Sequence, residues 1–207
     1  MKIALSVGHA GNRPGDMGVV VESSQGQIVE AVYAREYLTA AFGYLDQAGH
    51  EASFYEGTYQ ERMANANRDA VDVFVAGHLN AGRGSYGLIK LDHRAGRRTC
   101  DLAFQLTELW NSALPTKDAA GNPNNQVWLL DPFGPDFRLL PSGSRVEFKT
   151  QEDRGFNNIA NVEAPALLLE PLFLDNPYHL EWLLQGGVEI IGRTIAEAII
   201  GWADHVD

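Results

Sequence analysis

The chain has 207 residues, 45% of them hydrophobic and 10% aromatic, enough to bury the core of one compact domain. Acids outnumber bases 27 to 16, leaving a net charge of −11 and a pI near 4.9. With no basic stripe to meet phosphates, nucleic acid is excluded as the expected partner. The single cysteine, Cys100, rules out an internal disulfide scaffold, and no run of ~18 apolar residues is present to span a bilayer.

In chain order, strands and helices alternate. Ile3 to Val7 is a short apolar strand, followed by a glycine-rich loop from Gly8 to Gly18. A helix is predicted from about Gln27 to Gln47, because Ala34, Tyr37, Leu38, Ala41, Phe42 and Leu45 recur at helical spacing; Gly49 ends it. Glu51 to Tyr55 reads as a strand, Gln60 to Ala70 as a polar-faced helix, and Val71 to Ala76 as an apolar strand closed by Gly77-His78. Tyr86 to Leu91 is a further strand and Thr99 to Ala113 a further helix.

From Pro115 to Asn161 the texture changes to turn signals such as Asn122-Pro123-Asn124-Asn125, Gly134-Pro135 and Pro141-Ser142-Gly143-Ser144. Loops this long are uncommon inside a compact domain. Trp128, Phe133 and Phe137 within it are expected to pin it to the body rather than to touch substrate. Pro165 to Leu174 is a buried-strand pattern broken by Glu170. Asp175-Asn176-Pro177 then supplies a cap and a proline for a closing helix with Leu184, Val188, Ile191, Ile195, Ala198, Ile199 and Trp202 on one stripe. The pattern predicts a single-domain α/β fold over 1–207, with a twisted, mostly parallel sheet and helices on both faces.

Ionisable residues interrupt the burial pattern in one place. His9 follows the first strand, His78 follows Val71–Ala76, and Glu170 ends Ala166–Leu169. Carboxyl ends of parallel strands gather along one sheet edge, where α/β proteins place their ligand sites. Glu30 falls on the same helical face as Ala34, Tyr37, Leu38, Ala41 and Leu45, so its carboxylate opens a core-facing stripe. Such burial costs several kcal/mol unless the group is paired or metal-bound. Two imidazoles, one carboxylate and a position left to water suit a catalytic zinc, with a further carboxylate as general base. A frayed first helical turn reaching solvent would place Glu30 equally well, and spacing alone leaves both readings open. His50, His93, His179 and His205 read as solvated surface residues, and Cys100, without a nearby Cys or His, as structural.

These residues give the chain its resemblance to a family, the zinc-dependent N-acetylmuramoyl-L-alanine amidases of the amidase-3 type, found in bacterial cell-wall hydrolases and phage endolysins. The similarity runs through Gly8-His9-Ala10-Gly11, Asp16-Met17-Gly18, Glu30 and Arg62-Met63-Ala64-Asn65-Ala66-Asn67. It continues through Asp72-Val73-Phe74-Val75 into His78-Leu79-Asn80-Ala81. It closes with Pro165-Ala166-Leu167-Leu168-Leu169-Glu170 and Phe173-Leu174-Asp175-Asn176. Departures are Ser6-Val7 where Asp and Pro are usual, Ala76-Gly77 for Ser-Ile, and Pro171 after the glutamate.

The resemblance implies one Zn²⁺ per chain on His9, Glu30 and His78, Glu170 as the catalytic acid, and Asn80 as a substrate contact. It implies hydrolysis of the amide between the lactyl group of N-acetylmuramic acid and L-alanine of the stem peptide, with peptidoglycan as partner; the sequence does not fix the oligomeric state, and a monomer is the expectation. The alternatives are a zinc hydrolase of another peptide-like amide and a non-catalytic wall-binding or regulatory homologue. The segment 115–161 aligns poorly; a regulatory plug near the site is one role that such segments have in the family. The opening MKIALSVGH is too short for a signal-peptide core. Synthesis in the cytoplasm with action on the cell wall after release is therefore expected, or a mature domain cut from a secreted precursor.

Overall fold

The computed structural model describes residues 1–24, 26–115, 144–150, 152–153 and 156–205, together with the backbone of 127–129 and 138–140. Its centre is a six-stranded sheet built from β1 (Lys2–Val7), β4 (Glu51–Phe54), β5 (Val73–Gly77), β6 (Gly87–Asp92), β9 (Ser144–Lys149) and β10 (Ala166–Glu170). The spatial order is β4-β1-β5-β10-β6-β9. The first four run parallel, β6 is antiparallel to β10, and β9 is parallel to β6. Two antiparallel pairs lie outside it: β2 (Val20–Ser23) with β3 (Gly26–Val29), and β7 (Val127–Leu129) with β8 (Arg138–Leu140).

Side-chain alternation along the strands sorts the core into two layers. Ile3, Leu5, Val7, Val73, Val75, Leu167, Leu169, Ile89 and Leu91 face the larger cluster, which is covered by α1 (Glu30–Gln47), α3 (Arg97–Ala113) and α5 (Val188–Ala203). Ala4, Phe74, Ala76, Ala166 and Leu168 face a smaller cluster under Met63 and Ala66 of α2 (Tyr59–Arg68) and Ile159. The mostly parallel sheet between helical layers is the predicted architecture.

Three local expectations need correction. The predicted start of the first helix near Gln27 is wrong: Gly26–Val29 is strand, because Val29 and Ile28 pair with Val20 and Val21 and bury Ile28. Helical phase is continuous through that stretch, but ladder pairing takes it first. The helix then starts at Glu30, where the loop rather than a side-chain cap satisfies its first donors: Glu30 N–H donates to Val19 O at 2.8 Å and Ala31 N–H to Met17 O at 3.3 Å. The predicted continuous closing helix is instead α4 (Pro177–Trp182) and α5, separated by a wide turn, Leu183–Gly187, where Gly186 has φ 105°. Finally, the segment read as loop from Pro115 to Asn161 contains the edge strand β9, whose Val146 pairs with Ile89. Phe133, Phe137 and the side chain of Trp128 lie outside the described residues.

Candidate metal centre and its neighbouring carboxylate

The carboxyl ends of β1 and β5 adjoin each other, Val7 pairing with Gly77, so the chain delivers His9 and His78 to one place. His9 sits just past β1 with φ 62°, a strained conformation for a residue with a side chain. It is held there by its N–H to the Tyr59 hydroxyl at 3.1 Å. Beneath the loop, buried Arg62 donates to the carbonyls of Gly57 at 2.8 Å, Val7 and Ala10, and to Ser6 Oγ at 3.0 Å. The serine that replaces the usual aspartate thus has a partner.

Glu30 stands at the head of α1 and is 2% exposed. Its Oε1 lies 3.3 Å from His9 Nε2 and 3.0 Å from His78 Nδ1, and accepts the Leu79 N–H at 3.1 Å. Its Oε2 accepts the Val19 N–H at 2.8 Å. The helical phase therefore found a buried, fully engaged carboxylate, and a frayed first turn is not what forms. Burial alone would push this carboxyl up, but the bonds from His78 and His9 outweigh it and hold the group well below its usual range. The same bond from Glu30 raises His9 above its ordinary value, against the opposing effect of burial.

Behind His9 stands Asp16, whose Oδ1 is 2.6 Å from His9 Nδ1 and whose Oδ2 accepts from Asn12 Nδ2 at 3.1 Å. Burial pushes Asp16 up; the contacts to Asn12 and His9 prevail and lower it. A carboxylate on one ring nitrogen fixes the tautomer and leaves the other nitrogen as a metal ligand. Motif likeness alone did not single out this role, yet a carboxylate seven residues beyond a candidate ligand histidine was a readable signal.

The donor set fits a divalent metal. One ligand atom from each of His9, Glu30 and His78 comes within 4.8 Å of the others, a nitrogen and oxygen set suited to zinc. Two glycines leave the room. A Cβ on Gly18, whose φ is +72°, would lie 2.3 Å from Glu30 Oε2 and 2.7 Å from His9 Cδ2, and one on Gly8 would lie 2.4 Å from the His78 ring. A Cβ on Gly77 would lie 2.6 Å from the Tyr37 hydroxyl, which donates to the His78 carbonyl at 3.0 Å. That explains glycine where the resembling family has a larger residue.

Glu170 ends β10 beside this cluster, since His78 N–H donates to Leu169 O at 2.8 Å. It is 9% exposed, with Oε1 2.6 Å from Lys90 Nζ, while Oε2 has no partner among the described residues. Lys90 was not singled out in the sequence, although a lysine inside Gly87-Leu88-Ile89-Lys90-Leu91 marks a break in an apolar strand. Asn80, two residues past His78, bridges to Phe173 through its backbone, and its Oδ1 accepts the Ala81 N–H at 2.8 Å. Asn158 Oδ1 comes within 3.3 Å of His78 Nε2, a contact that no spacing predicts across eighty residues.

The remaining histidines divide. His93 and His205 are exposed and His50 half-buried, but His179 is 1% exposed, which corrects its reading as a surface residue. Its position early in a helix said nothing of the turn that packs over it. Cys100 is buried in the core, away from the ligand cluster.

The sequence profile described as N-acetylmuramoyl-L-alanine amidase matches residues 3–201. The chain belongs to the N-acetylmuramoyl-L-alanine amidase family. It is accordingly a peptidoglycan amidase, of a family that is generally zinc-dependent. Solved structures agree on the fold. An N-acetylmuramoyl-L-alanine amidase from Clostridium difficile 630 is 18% identical with a TM-score of 0.72, the match covering 100% of this chain and 98% of that one. Cwp6 from Clostridium difficile is 19% identical with a TM-score of 0.72, and the match spans 100% of this chain but only 29% of that longer protein. The catalytic domain of the CD27L endolysin targeting Clostridia difficile is 15% identical with a TM-score of 0.68, over 97% of each chain. No curated protein sequence matches the amidase. Among its described residues, no helix is long and apolar enough to cross a membrane.

Proposed function

We propose that this amidase hydrolyses the bond between the lactyl carbonyl of N-acetylmuramic acid and the L-alanine nitrogen, with one zinc ion per chain held by His9, Glu30 and His78. The observation that carries the reading is the convergence of these three donors, backed by Asp16, beside a buried carboxylate with one unpartnered oxygen. A zinc ion at such a site supplies polarisation of a carbonyl and a water made acidic near neutral pH.

The chain's own groups do the rest. Asp16 holds the His9 ring, and the Val19 and Leu79 N–H groups hold Glu30, so the donors need little reorganisation. Glu170 takes the proton of the attacking water on Oε2 as the new C–O bond forms. It then passes that proton to the alanine nitrogen as the C–N bond breaks, releasing a lactyl carboxyl and a free amine. Asn80 is the proposed contact to the substrate, and residues 1–207 act as a single catalytic domain.

Glu170→Gln should lower kcat by about 10²–10⁴-fold, the usual worth of a general base, with one zinc per chain retained. Mass analysis of digested peptidoglycan should show a new N-terminal alanine. A different new amine, or full activity in Glu170→Gln, would refute the assignment.

A further inference from the structure

Lys90 and Glu170 sit on neighbouring antiparallel strands, and both point to the face of the smaller core cluster. Glu170 pairs with Leu88 and Leu168 with Lys90, so the lysine reaches two residue pairs along the ladder, past Leu169–Ile89, to the carboxylate. Both are nearly closed off, at 8% and 9% exposure, and their contact is 2.6 Å. On its other side Lys90 pairs in register with Glu147, but Glu147 is engaged by Arg145 at 2.8 Å and Lys149 at 2.9 Å. The ammonium is therefore directed to Glu170 Oε1.

The pairing is lopsided, and the asymmetry carries information. A buried carboxylate that serves only stability has both oxygens satisfied, because an unmet buried acceptor costs the full desolvation of that atom. Here Oε1 is fixed by a charged donor while Oε2, equally buried, has no partner among the described residues. The carboxylate belongs to the residue directly after Leu169, whose carbonyl takes the His78 N–H.

We propose that Lys90 is a positioning residue for the hydrolytic reaction: it clamps Glu170 by Oε1 and so presents Oε2 as the oxygen that moves the proton. The proposal rests on the reading of Glu170 as the base. Lys90 touches neither water nor substrate in this role and acts only through Glu170. Without the clamp the carboxylate can rotate about its last torsion, which is broad and soft, and the proton-accepting oxygen loses its fixed place.

The test is a double-mutant cycle with Lys90→Met and Glu170→Gln in the full chain. Lys90→Met should lower kcat by about tenfold to a hundredfold, the range found when a partner orienting a functional group is removed, with KM and zinc content unchanged. In the Glu170→Gln background the same substitution should change kcat by less than about threefold, since there is no carboxylate left to position. A merely structural lysine would lower kcat by the same factor in both backgrounds, and that result overturns the proposal.

A second arm needs no activity. In metal-free protein each single substitution should lower Tm, and the double variant should recover part of the loss, because each single change strands one buried partner. Additive losses in Tm also overturn the proposal. Should Lys90→Met not fold alone, Lys90→Gln replaces it with the same outcomes expected. Full activity in Glu170→Gln would overturn both the base assignment and this inference; an inactive Glu170→Gln beside a fully active Lys90→Met would overturn the inference alone.

Discussion

His78 and His179 are both buried imidazoles, at 6% and 1% exposure, and they are built for opposite ends. His78 faces the Glu30 carboxylate at 3.0 Å and shares it with His9. His179 faces backbone: its Nδ1 accepts the Phe173 N–H at 2.9 Å, which locks the turn after β10. Burial alone therefore does not mark a ligand. What separates the two is that His78 converges with His9 on one carboxylate, whereas the partner of His179 is a backbone N–H.

Three substitutions sharpen that contrast. Glu30→Ala should have the largest effect, since it removes the shared carboxylate and leaves two imidazoles without the third donor. Zinc content measured after desalting should fall to background together with wall lysis, and a variant that keeps stoichiometric zinc would break the ligand assignment. Asp16→Ala should be milder, because it frees the His9 ring without removing a ligand. Zinc affinity by competition titration should weaken by about 10–100-fold, and an unchanged affinity would show that Asp16 does not orient His9.

The smallest effect belongs to His179 and lies in stability rather than activity. Burial, opposed by the Pro115 carbonyl and Asp175, lowers its pKa to about 4. Between about 6.5 and 4 the unfolded chain binds a proton there that the folded chain does not. Its contribution is thus complete above pH 6.5 and declines as pH falls towards 4, by about 3 kcal/mol in all, from the shift to about 4. In metal-free protein, denaturant unfolding at a series of pH values should show this slope, and His179→Leu should flatten it while the same variant, loaded, keeps its zinc. A slope unchanged in His179→Leu would assign the acid sensitivity to other groups.

Local signals decided much of the architecture. β1, β5 and β10 read as strands because their apolar runs have strand length and end at Gly-His or at Glu. Glu30 was legible for a physical reason: once the helix includes position 30, its 3.6-residue period puts that position on the face of Ala34, Tyr37 and Leu38. His9 and His78 were legible because each follows an apolar strand at its carboxyl end, and parallel strands bring those ends together.

Contacts between distant segments could not be read in that way. Lys90 and Glu170 meet because β6 runs antiparallel to β10, and no local pattern in either strand states that direction. Asn158 reaches His78, and β9 closes the edge of the sheet, through pairings set by the whole chain. His179 is buried because the turns around Phe173 and Pro115 pack against it, not because of its own helix.

By itself, then, the sequence determined an acidic, single-cysteine α/β chain with two histidines at strand ends and a glutamate on a core-facing helical stripe, since periodicity and strand ends are local properties. Only the tertiary structure decided which second carboxylate supports His9, which cation holds Glu170 and which histidine is purely structural. Partnership depends on strand direction and on what desolvates each group, and both are properties of the folded molecule as a whole.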